Sequence, residues 1–105
     1  MKIFLDLATP DSPVRKAIQQ IFTTVGELEF VNSVQEADGI ITDEPEKAKV
    51  YLDNTRKRVA QVLWWKQKPA TIPESDRFKI FDVLPSANRG SLPGLIEAMT
   101  FLKGR

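Results

Sequence analysis

The 105-residue chain has no cysteine and no histidine. Without cysteine there are no disulfides, no thiol chemistry and no thiolate metal ligands. Without histidine the commonest general base and the commonest transition-metal ligand are missing. Zinc sites, Ser-His-Asp triads and Cys-His pairs are therefore excluded by composition. Any catalysis has to rest on carboxylates, lysines, hydroxyls or a hard metal such as Mg²⁺ held by oxygens. Long apolar runs are lacking too. The start, Met1-Lys2-Ile3-Phe4-Leu5-Asp6, meets a charge too soon for a signal peptide, and no stretch approaches the roughly 20 apolar residues of a membrane span. The expectation is a cytoplasmic protein with no membrane partner. No charge sign dominates: 15 Lys and Arg face 14 Asp and Glu, a net charge of +1, which gives no electrostatic case for nucleic acid. The one basic run, Arg56-Lys57-Arg58, reads as a solvated turn. Glycine numbers only five, and Ala8–Ser12, after the first apolar run, contains none, so neither a dinucleotide fingerprint nor a P-loop is present.

What is present is an ordinary globular composition, 42% hydrophobic and 28% charged, and a length that suits one domain over residues 1–105. Short apolar runs predict strands at Lys2–Leu7, Glu27–Val31, Gly39–Thr42, Arg58–Trp65 and Phe78–Leu84. The second alternates and reads as an edge strand. Helical spacing links Val14, Ala17, Ile18, Ile21, Phe22 and Val25, with Pro13 at the start and Gly26 at the end. A second helix, Glu46–Asn54, follows Pro45 and turns Ala48, Tyr51 and Leu52 inward. A last one after Ser91 has the stripe Leu92, Leu95, Ile96, Met99 and Leu102. A very short helix is expected at Val34–Ala37. Lys66–Arg77, with Pro69 and Pro73, shows no periodicity and reads as a loop. Strands alternating with helices imply a three-layer α/β fold with a parallel sheet.

In such folds chemistry sits beyond the carboxyl ends of the strands. The third strand ends in Asp43 and Glu44, just before Pro45. Asp43, Asp6 and Glu44 are candidate ligands for one Mg²⁺, which needs only one or two carboxylates besides waters and phosphate; otherwise no cofactor is expected. The plainer role for Asp43 is to cap the helix begun by Pro45. Trp64 and Trp65, beside Pro69, are candidates for a partner interface or for self-association into a dimer, since adjacent strand residues point to opposite faces. The loop Asn88-Arg89-Gly90-Ser91 precedes a helix N-terminus and is a candidate anion-binding loop.

Asp38-Gly39-Ile40-Ile41-Thr42-Asp43 resembles the acceptor segment of response-regulator receiver domains, with Asp43 at the phosphoacceptor position. The resemblance implies a flavodoxin-like five-stranded parallel sheet of order 2-1-3-4-5, with the family's fourth helix missing or reduced to the Lys66–Arg77 loop. It also implies Asp6 in the acidic pocket, where the family usually has two adjacent acids. Two of the family's features are replaced. Trp64-Trp65 stands where a small hydroxyl residue follows the fourth strand, and Leu84-Pro85 where Lys-Pro follows the fifth. The chain therefore resembles a degenerate receiver, a pseudo-receiver. The expected function is non-enzymatic: a signalling or regulatory module acting by protein–protein interaction, not phosphorylated in the ordinary way. Two alternatives stay open, an atypical phosphoacceptor using Asp43 with Mg²⁺, and a small-molecule or nucleotide site at the strand ends.

Overall fold

A computed structural model of the chain describes residues 1–7, 15–16, 19–20, 29–63, 68–82 and 92–103. The apolar runs form five strands: β1 (Lys2–Asp6), β2 (Glu29–Val31), β3 (Gly39–Thr42), β4 (Arg58–Leu63) and β5 (Phe78–Asp82). They lie in one sheet of order β2-β1-β3-β4-β5, with every neighbouring pair parallel. This is the expected flavodoxin-like arrangement. Each strand enters from the same end, so all carboxyl ends lie on one edge of the sheet. The register pairs Asp6 of β1 with Thr42 of β3, which sets Asp43 just beyond Asp6's partner.

Two helices are described in full, α1 (Pro45–Asn54) and α2 (Leu92–Leu102); Arg15, Lys16, Gln19 and Gln20 are also helical. The two-residue alternation of the strands divides the core into two layers. On one face Ile3, Leu5, Leu7, Ile41, Ala60 and Val62 pack against Ala98, Met99, Phe101 and Leu102 of α2. On the other Ile40, Val59 and Phe78 pack against Ala48 of α1, with Phe4, Tyr51, Leu52, Ala70 and Ile72 around them. α1 therefore turns the expected residues inward. Gly39 allows a close approach of α2, because a Cβ there would stand 3.1 Å from Leu102 Cδ2.

Several expectations change. The inward face of α2 includes Ala98 and Phe101, and Ile96 is 54% exposed. Phe101 rotates the stripe: its ring meets Phe81 of β5 at 5.8 Å, with Arg58 and Lys79 over it at 5.4 and 5.5 Å. Val34–Ala37 is not a helix but a turn, closed by the Ala37 N–H on the Val34 carbonyl at 3.2 Å; four residues are too few to offset helix nucleation. The basic run is not merely solvated. Lys57 Nζ donates to the carbonyls of Val34 and Gln35, and Arg58 Nη1 donates to Phe101 O at 2.8 Å, at the carboxyl end of α2.

Residues 68–77 contain neither helix nor strand, as expected. The segment is nevertheless anchored. Gln61, a fully buried side chain of β4, donates through Nε2 to Lys68 O and accepts the Ala70 N–H at Oε1, both at 2.8 Å. Arg77 Nη2 donates to Leu52 O at 3.2 Å and to Thr55 O, carbonyls at the end of α1. Glu74 Oε2 accepts the Ile80 N–H of edge strand β5 at 3.0 Å. Among the described residues no helix is long and apolar enough to cross a membrane.

Candidate functional site

The site is built by one tight junction. β3 is buried along its whole length and ends at Thr42, whose Oγ1 accepts the Glu44 N–H at 3.2 Å. Asp43 is fully buried. Pro45, with no N–H to leave unpaired, opens α1, and the helix ladder begins with the Ala48 N–H on Glu44 O at 3.2 Å. The N-cap residue is Glu44, and its side chain makes no capping hydrogen bond. The N-cap position thus falls one residue after Asp43, and Thr42 ties down the turn.

α1 then sends two side chains back toward β1. Lys47 and Tyr51 are four residues apart on one helix stripe, and helical side chains lean toward the helix N-terminus. Lys47 Nζ lies 3.2 Å from Asp6 Oδ1 and 3.1 Å from Glu44 Oε2, bridging the two carboxylates. The Tyr51 hydroxyl donates to the other Asp6 oxygen, Oδ2, and its ring meets Phe4 edge-on at 6.2 Å. Both oxygens of Asp6 are therefore engaged by α1.

The electrostatics follow from this geometry. A cation in the first turn of a helix opposes the positive helix end; here the hydrogen bond that Lys47 donates to Glu44, then the one it donates to Asp6, raises the Lys47 pKa. Burial raises the Tyr51 pKa far above the usual phenol value, and the Asp6 carboxylate beside the hydroxyl adds to the effect.

The structure brings Asp6 and Glu44 together, but around an ammonium group. Each Asp6 oxygen already accepts a donor, Lys47 at Oδ1 and Tyr51 at Oδ2, and Lys47 also holds Glu44, so the oxygens a divalent ion would need are taken by an ammonium and a hydroxyl. The residues present do not fit Mg²⁺. Pro69 is exposed, just after a carbonyl held by Gln61. Trp64, Trp65, Asn88, Arg89, Gly90 and Ser91 lie outside the described residues. Lys47 and Tyr51 were missed as members of the site. The available signal was the spacing Glu44, Lys47, Tyr51, at i, i+3 and i+7 of a helix starting beside Asp6. No protein-family model, curated protein or solved structure matches this chain.

Proposed function

We propose that the chain is a receiver-like regulatory module that acts by protein–protein interaction and does not accept phosphate in the ordinary way. The observation that carries this reading is the burial of Asp43, at 0% exposure. A carboxylate that acts as a phosphoryl acceptor has to meet the donor in line, with room for the transferred group and cations around it. Asp43 offers no such surface, and its neighbour Asp6 is already held by Lys47 and Tyr51. An interaction role is also supported by large apolar side chains left outside, Ile96 on α2 and Val50 on α1, each 54% exposed.

One observation favours a second reading, an atypical phosphoacceptor. Lys47 supplies at the strand ends the cation that Leu84 does not. One experiment separates the two. The chain and its Asp43→Asn variant are incubated with acetyl phosphate and Mg²⁺ and weighed intact by mass spectrometry. The interaction reading expects no added phosphoryl group on either. A single phosphoryl group on the natural chain, lost in Asp43→Asn, overturns it in favour of the second.

A further inference from the structure

We propose that Lys47 is the resident cation of the strand-end acids, closing Asp6 and Glu44 to divalent metal ions. The inference rests on the receiver-like reading and concerns how that same site is held. Its basis is the disagreement between the acidic residues at the strand ends and the way they are used. Two carboxylates from different elements, the end of β1 and the N-cap of α1, converge on one ammonium at 3.2 and 3.1 Å. A metal ion there would need the same oxygens. The fourth partner is Tyr51, whose hydroxyl holds the Asp6 oxygen that Lys47 leaves.

The arrangement is covalently part of the chain, so it cannot dissociate as a metal does. A hard divalent ion would have to displace an ammonium with two charge-assisted contacts and then bind beside the displaced positive charge. The opposition is built into α1, since Lys47 is carried on the first turn, three residues from Glu44 and four from Tyr51. The acids at the β3–α1 junction thereby have a counter-charge from the chain itself, whatever the metal content of the solution. A module of this kind presents a constant surface to its partner, where a metal-dependent one would present two.

The consequence is specific. Removing the ammonium while keeping its bulk leaves Asp6 and Glu44 facing each other without a counter-charge, and a divalent cation becomes the group that can relieve them. The test uses the full chain with MnCl₂ and MgCl₂ alone, in four forms: natural, Lys47→Met, Lys47→Arg and the double variant Lys47→Met with Asp6→Asn. Binding is read by Mn²⁺-induced broadening of the Tyr51 ring resonances, and by the shift of the thermal midpoint with MgCl₂. The natural chain and Lys47→Arg are expected to show neither effect. Lys47→Met is expected to show both, with Mn²⁺ bound about tenfold or more tightly than by the natural chain, and the double variant to lose the gain.

Broadening of Tyr51 in the natural chain, at Mn²⁺ concentrations equal to those that affect Lys47→Met, overturns the inference. So does a folded Lys47→Met that gains nothing. If Lys47→Met does not fold, Lys47→Gln takes its place with the same expectations. Either failure leaves the outcome with acetyl phosphate untouched, so the two proposals fall separately.

Discussion

The two faces of the sheet are closed by different means. Over one, α2 lays Ala98, Met99, Phe101 and Leu102 on the apolar side chains of β1, β3 and β4, a mainly apolar contact that Arg58 joins at the carboxyl end of the helix through Phe101 O. Over the other, α1 covers part of the surface, and the segment 68–77 crosses another part without regular structure. There the closure is mixed: Ala70 and Ile72 pack on the core, but Gln61, Glu74 and Arg77 fix where the segment runs. A helix satisfies its own backbone and needs only an apolar stripe to dock. An extended segment cannot, so its buried N–H and C=O groups must be met by side chains. On the second face these polar partners specify the path that the segment takes.

The apolar part of that second face can be broken first. Phe78 is fully buried at the start of β5, beside Val59 in the β4 register. Phe78→Ala is expected to cost about 3–5 kcal/mol in urea-induced unfolding, because the transfer loss and the cavity add. A loss under about 1 kcal/mol would mean that residues 68–77 collapse into the space, and that this face is looser than its polar anchors imply.

Gln61→Leu tests those anchors with little change of volume. It leaves the Lys68 carbonyl and the Ala70 N–H without their partner, and the expected loss is about 1–3 kcal/mol. Hydrogen exchange sharpens the result. The Ala70 amide should exchange faster in the variant, while the Val62 amide, on the same strand but in the sheet ladder, should follow global unfolding alone. Equal acceleration of both would show that the segment is held by its apolar contacts and not by Gln61.

The same division governs what could be read from the sequence. Helix α1 and strands β1, β3, β4 and β5 announced themselves through runs and spacing, since burial writes a period into the chain. The strand order came only through likeness to a known topology, because strand spacing does not say which neighbour a parallel strand chooses. Ile96 was misassigned because spacing marks a stripe but not how far it rotates to seat an aromatic such as Phe101. Gln61 gave no signal at all: a polar residue in a buried strand looks like a flaw until its partners at positions 68 and 70 are known. For the site, the acids were legible and their occupant was not. Lys47 reads as one more surface lysine, and only the docking of α1 against the end of β1 brings it to Asp6.

The smallest expected effect is at Tyr51, and it tests the polar closure of the second face at the site itself. Tyr51 is the chain's single tyrosine, so the ultraviolet absorbance of tyrosinate reports on it alone. Burial and the Asp6 hydrogen bond hold its proton, raising its pKa well above the ordinary 10.0. In the native chain the tyrosinate band should therefore be absent at pH 10 and somewhat above, and in urea it should rise with a midpoint near 10. The folded chain then carries more bound protons than the unfolded chain from about pH 10 upward, so stability falls as pH rises through that range. Lys47 acts in the same direction: its raised pKa means that its contribution is complete below the ordinary lysine value of 10.5 and is lost as pH climbs through the folded one. Tyr51→Phe should cost about 1 kcal/mol at pH 7, the net worth of one partly solvated hydrogen bond, and should flatten the alkaline decline without removing it, since Lys47 remains. A native tyrosinate midpoint near 10 would show that the phenol is not held by Asp6, and that the ion pair with Lys47 closes the site alone.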